Sequence, residues 1–267
     1  RVDVDADVTG DDLEKVARTA LDSALDRLST AEGRLVQFVW LDRGPSIGGH
    51  LVVAGHHLAV DGVSWRIIVP DLVTAWFGVS SGTEPTLQPV GTSMRTWAHA
   101  LADQAPSRRS ELPFWSSVVR SEDVLLGDRD LDPAVDVQAT LDKVRVTVPA
   151  DVTTAVVTTL PQVFRGGVND GLLSALALAV AKWRRERGTE TSSLLLRLEG
   201  HGREEDVLGD AGLADLSRTV GWFTSIFPVL LDLTDVDLDD AFAGGAAAGR
   251  AVKAVKEQLL AVPDRGM

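Results

Sequence analysis

The 267-residue sequence contains no cysteine and no tyrosine, and only two methionines. Without cysteine there is no disulfide, thiolate–zinc site, iron–sulfur ligation or cysteine nucleophile. Without tyrosine, no phenol acts as a proton donor. Positive charge is scarce too: 26 Lys and Arg stand against 39 Asp and Glu, a formal net charge of −13. That balance supplies no phosphate-neutralising surface and argues against nucleic-acid binding. The longest near-continuous apolar run, Leu172 to Val180, is too short to span a bilayer. A Gly-x-Ser-x-Gly elbow is missing, and the small-residue stretch Gly244 to Gly249 lacks the Lys-Ser/Thr ending of a phosphate cradle. What remains is 45% hydrophobic and 24% charged, close to an ordinary soluble globular protein; a cytoplasmic location and no membrane partner are expected. Residue 1 is Arg rather than Met, and Arg1 to Val8 alternates like a strand under way, so neither end reads as a natural terminus.

Hydrophobic spacing predicts the path of the chain. Thr9 is expected to cap a helix carrying Leu13, Val16, Ala20, Ala24 and Leu28. Strands follow at Leu35 to Leu41 and His50 to Gly55, with turn residues between them. Val63 to Phe77 reads as a buried helix that Pro70 would bend. Helices near 93–105 and 111–120 carry Trp97 and Trp115 as core anchors, and 121–136 is an acidic surface connection. Val137 to Val148 alternates like a strand. Helices are expected at Ala150 to Leu160 and Asn169 to Arg187, the latter with a solvated basic end and a face of Leu172, Leu173, Leu176, Ala177 and Val180. Strands Ser193 to Leu198 and Trp222 to Leu233 precede a last helix from Asp237 to about Val262. The mixture implies an α/β or α+β architecture. The division expected is 1–136 with the His-His motif and 137–267 with the Glu-Gly-His-Gly-Arg-Glu motif.

Two clusters carry potential chemistry. The first is His56-His57-Leu58-Ala59-Val60-Asp61-Gly62-Val63-Ser64-Trp65, in a chain with only five histidines. Neighbours on a strand point to opposite faces, so the pair cannot converge on one metal or proton; one imidazole is expected inside and the other at a cavity. Asp61, if buried, needs a positive or amide partner. The second cluster is Glu199-Gly200-His201-Gly202-Arg203-Glu204. Glu199 follows an apolar run, where partial burial would make it a usable base. Taken alone, both patterns are also read as purely structural, the second as a charged turn with solvent-facing Arg203, Glu204 and Glu205. Ser217 to Pro228, taken alone, reads as a buried strand.

Together these blocks are more specific. His56-His57-x-x-x-Asp61-Gly62 resembles the signature of condensation-type domains of nonribosomal peptide synthetases, and Val63-Ser64-Trp65-Arg66 resembles the epimerization branch. Glu199 to Glu204 and Arg218-Thr219-Val220-Gly221-Trp222-Phe223-Thr224 resemble epimerization-specific blocks. The resemblance implies a two-lobed fold similar to chloramphenicol acetyltransferase, truncated at both ends here, so that the isolated chain is expected to be unstable or inactive. It implies inversion at the α-carbon of an aminoacyl or peptidyl thioester, carried on the phosphopantetheine of a partner peptidyl carrier protein beside neighbouring synthetase domains.

Carried over by position, Glu199 matches the family's acid/base carboxylate and His57 its catalytic histidine. Asp61 matches a structural position, with His56 and Gly62 setting the shape of the loop. Trp65, His201, Arg203 and Trp222 are expected to line or support the site. The resemblance implies no metal, nicotinamide or pyridoxal phosphate. Peptide-bond condensation is the rival within the family, and a non-catalytic carrier-binding remnant the rival of another class.

Overall fold

Alternating apolar positions at 36–42 and 50–55 do form paired strands, and they anchor the first of two compact units. The computed structural model describes residues 1–122, 124–205 and 214–267. One unit comprises Arg1–Ala105 with His201–Thr224, the other Pro106–Gly200 with Ser225–Met267. The boundary expected at 136 is not the one observed: 106–136 go with the second unit, and a later segment returns to the first. Side-chain bonds described below tie that segment down.

In the first unit, β1 (Val2–Asp3), α1 (Gly10–Asp26), β2 (Val36–Asp42) and β3 (His50–Gly55) build a three-stranded sheet with one helix. The order is β1-β2-β3, β1 parallel and β3 antiparallel to β2. Val39, Leu41 and Ala54 on one face meet Ala20 and Ala24, one turn apart on α1. β1 is shorter than the alternation over 1–8 suggests, because the chain turns at once, Val8 N–H donating to the Asp5 carbonyl. Thr9 is extended at the N-cap, but its side chain makes no capping bond.

α2 (Gly62–Ser80) runs through Pro70 without ending there. It is not the buried helix expected: Ser64 and Ile67 are buried, whereas Val69, Val73, Trp76 and Phe77 are exposed. The Trp76 ring meets Trp40 of β2 at 6.2 Å. In α3 (Met94–Gln104), the Ser93 hydroxyl accepts from Thr96 N–H and Trp97 is fully buried, as its apolar spacing predicts.

The second unit contains α4 (Leu112–Val119), α5 (Ala150–Phe164), α6 (Val168–Arg185), β4 (Ser193–Gly200), β5 (Ser225–Asp232), α7 (Leu238–Phe242) and α8 (Ala246–Leu260). β4 and β5 pair antiparallel, and Leu194, Val229 and Leu231 pack with Ala177 and Val180 of α6 and Ala251 and Val255 of α8. Trp115 is half-buried rather than a full core anchor, its indole N–H donating to Glu111. Residues 124–136 are surface turns braced by Arg129 on Asp136; residue 123 of the expected connection lies outside the described residues.

Four expectations in this unit are corrected. Residues 141–149 form no strand, and Val144 and Val146 are 92% and 79% exposed; alternation makes a strand only where a ladder supplies partners. Leu172 and Leu176 are exposed, the buried face of α6 being Gly171, Ser174, Ala177, Val180, Ala181 and Arg184. Arg184 is therefore not solvated; it donates to the carbonyls of Ser193 and Val124. The last helix is two helices, because Gly244 turns with φ +77° and Asp240 caps the next segment through Ala247 N–H. No single helix among the described residues is long and apolar enough to cross a membrane.

Leu41 and Leu231 are wholly buried. Replacing either by Ala is expected to cost about 2–5 kcal/mol through lost transfer energy and cavity formation. Exposed Leu172→Ala should change stability by no more than about 0.5 kcal/mol. Urea denaturation midpoints of the three variants test this.

Candidate functional site

The first cluster sits where β3 gives way to a turn. His56 N–H donates to the Leu35 carbonyl at 2.7 Å, and the His56 carbonyl accepts from Ala59 and Val60 N–H at 2.9 and 3.2 Å. Its ring Nδ1 accepts from Leu58 N–H at 3.1 Å, which places the proton of the neutral ring on Nε2. His57 lies in the turn beyond the strand, so the opposite-face argument does not govern the pair. The His57 side chain is exposed and its ring stands 5.6 Å from that of Trp222.

Asp61 is the N-cap of α2, with an extended backbone. Its Oδ1 accepts from Ser64 N–H and the Ser64 hydroxyl, each at 2.7 Å. The side chain is 3% exposed, and the positive partner it requires is Arg203, 142 residues later. Arg203 Nη2 donates to Asp61 Oδ1 and Oδ2 at 3.0 and 3.2 Å, while Nη1 donates to the Thr219 carbonyl at 2.6 Å. The guanidinium lies 4.0 Å from the centre of the Phe223 ring. Phe223 N–H donates to Asp61 Oδ2 at 3.2 Å, and Gly221 N–H to the Ser64 hydroxyl at 3.1 Å. One carboxylate thus ties a helix start to residues 203 and 223. Arg218 adds a second tie, donating to both oxygens of Asp71 on α2 at 2.6 Å.

The second cluster is divided by its own chemistry. Glu199 lies on β4 opposite Ile226 and is exposed, so the burial expected of it is not found. Leu194, Leu196 and Leu198 take the inward face, and Arg197 and Glu199 the outward one. The segment His201–Thr224 belongs with the first unit. His201 Nδ1 accepts from Arg203 N–H at 3.0 Å, and its Nε2 lies 3.4 Å from Glu204. Gly202 makes that turn possible with φ +65°. The solvent-facing turn is corrected at Arg203 and Glu204, whose side chains are 9% and 13% exposed; Glu205 is exposed as expected, its carboxylate accepting from Leu216 N–H.

Gly62 is not demanded by the backbone, since a Cβ there would meet no atom within 4 Å. Trp65 is half-buried over Gly55 at the end of β3. Ser64, Phe223 and Arg218 were not singled out from sequence. A signal for Ser64 existed: an Asp N-cap bonds the N–H three residues on. Among the described residues no group of three or more His, Asp or Glu is placed to hold a metal ion. Hollows of about 420 Å³ beside α1 and about 180 Å³ beside α8 include none of the candidate side chains.

Burial pushes the Asp61 carboxyl up, but the bonds from Ser64 and Phe223 and the Arg203 charge outweigh it and hold the group below its ordinary value of 3.8. A depressed folded-state value gives stabilisation that is complete above the ordinary value and lost as pH falls through the folded one. Unfolding midpoints should therefore drop on acidification below about pH 4, and Asp61→Asn should weaken that dependence. Arg203→Ala, which strands the buried carboxylate, should cost about 3–5 kcal/mol at neutral pH by urea denaturation.

Comparison with known proteins accounts for this arrangement. The condensation-domain family model matches residues 5–267. A linear gramicidin synthase of Brevibacillus parabrevis is 39% identical over 242 residues, 90% of this chain and 3% of that protein. Chondramide synthase of Chondromyces crocatus is 38% identical over 255 residues, 93% of this chain and 6% of that one. The epimerization domain from the third module of tyrocidine synthetase B aligns with a TM-score of 0.77 at 27% identity, over 99% of this chain and 56% of that one. The first condensation domain of the CDA synthetase aligns with a TM-score of 0.58 at 18% identity, over 99% and 52%, which speaks to fold alone. The chain spans about half the length of the solved domains and a small fraction of the synthases. With its family's residues matched nearly throughout and its mixed α/β fold shared, this chain belongs to the condensation-domain family of nonribosomal peptide synthetases.

Proposed function

We propose that this chain comes from an epimerization domain, which inverts the α-carbon of an aminoacyl or peptidyl thioester held on a carrier protein's phosphopantetheine. The observation that carries the reading is the likeness in fold to the tyrocidine synthetase epimerization domain, at higher TM-score and identity than to the CDA condensation domain. The motif residues support it.

A thioester makes its α C–H acidic enough for a side-chain base, provided the enolate oxygen is stabilised. Glu199 takes the α-proton as the C–H bond breaks, and the electron pair moves into the thioester carbonyl. His57 stabilises that oxygen or exchanges the second proton, and a new C–H bond forms as the enolate collapses. Inversion requires the returning proton to reach the other face of the carbon, hence two groups rather than one. Both side chains are exposed and accessible to a substrate. His56, Asp61 and Arg203 act through the backbone they hold. The partners in this reading are the peptidyl carrier protein and the adjoining synthetase domains.

The test is solvent deuterium incorporation at the α-carbon of a carrier-bound aminoacyl thioester, in a synthetase module carrying this sequence. Glu199→Gln and His57→Ala should each slow incorporation about 10²–10⁴-fold, the range of general acid–base catalysis. Unchanged exchange in both variants would overturn the assignment. Amide formation from two carrier-bound substrates without loss of α-configuration would favour condensation instead.

A further inference from the structure

His57 lies exposed in the turn between β3 and α2. Its imidazole stands beside an indole, that of Trp222, with ring centres 5.6 Å apart and planes 53° apart. Trp222 is exposed (39%) and belongs to no strand or helix. Its backbone is held on both sides. Gly221 N–H donates to the Ser64 hydroxyl at 3.1 Å, and Phe223 N–H donates to Asp61 Oδ2 at 3.2 Å. The Phe223 ring, buried, is held between the Arg203 guanidinium at 4.0 Å and Trp97 at 6.4 Å.

Asp61 and Ser64 begin the helix that follows the His-His turn, and Asp61 stands four residues after His57. The buried network that holds residues 221 and 223 therefore also sets the backbone from which the indole projects beside the imidazole. We propose that Trp222 is the positioning residue of His57: its indole face confines the imidazole to one orientation, and the Asp61–Ser64–Arg203 network holds the indole in place. The inference rests on the reading of His57 given above. An imidazole that must meet one proton or one oxygen loses rate steeply when displaced, up to about 100-fold for an ångström.

The experiment uses a synthetase module carrying this sequence and a substrate-loaded carrier protein, with α-deuterium incorporation as readout. Trp222→Leu keeps apolar bulk but removes the flat face; Trp222→Phe keeps a flat face. The leucine variant should lose about 10- to 100-fold in kcat with KM little changed, and the phenylalanine variant should retain most of kcat. Adding Trp222→Leu to His57→Ala should cause no further loss, because a residue acting only through His57 has nothing left to position. Additive losses, or a wild-type kcat in Trp222→Leu while His57→Ala abolishes exchange, would overturn the role of Trp222 and leave that of His57 standing. Undiminished exchange in His57→Ala would instead overturn both.

Discussion

A carboxylate and a guanidinium, Asp61 and Arg203, meet out of water in the first unit, and its loops are organised around them. Removing two ions from solvent costs several kcal/mol each, and the hydrogen bonds that surround the pair offset that cost. Asp61 accepts from two groups of Ser64 and from Phe223 N–H in addition to Arg203, and Arg203 donates from Nη1 to the Thr219 carbonyl, leaving its buried Nε without a partner among the described residues. Every partner outside Asp61 and Ser64 lies in 203–223. A nonpolar pair of equal volume would bury as much surface, but it would not select one backbone register for that segment. The ionic pair does, because its donors must all point at two oxygens.

That constraint explains why linear reading misplaced the division of the chain. Composition puts the break at 136, where the sequence turns acidic and loses its apolar period. The structural units part elsewhere because residues 201–224 return to the helix start that Asp61 caps. Sequence announces that Asp61 needs a positive partner, but charge carries no address: Arg203 sits in a run with Glu204 and Glu205 that looks like any solvated turn. Elements with their own local code were legible, namely β2, β3, α1, α3 and β4, whose periodicity sets the buried face. Elements that depend on distant partners were not. Val137 to Val148 has the alternation of a strand, but the ladder that would complete it is missing among the described residues. α2 has the composition of a buried helix but leaves an apolar face exposed, in a chain spanning about half of the solved domains.

Glu199 shows the same limit at one residue. An apolar run ahead of a carboxylate suggests a dry pocket, yet a strand distributes consecutive residues to opposite faces. Leu194, Leu196 and Leu198 go inward; Arg197 and Glu199 go outward, where the carboxylate keeps its hydration. If Glu199 is a base, its desolvation must come with substrate rather than from the strand that carries it.

The three histidines of the motifs are not chemically equivalent. In His56 and His201, Nδ1 accepts the backbone N–H two residues on, at 3.1 and 3.0 Å. An amide N–H can only donate, so each ring must carry its single proton on Nε2 when neutral. In both, Nδ1 is committed to the turn it shapes. His57 stands instead beside the Trp222 ring, with ring centres 5.6 Å apart and planes tilted by 53°. The local hydrogen bonding thus sets His56 and His201, whose Nδ1 atoms shape their own turns, apart from His57.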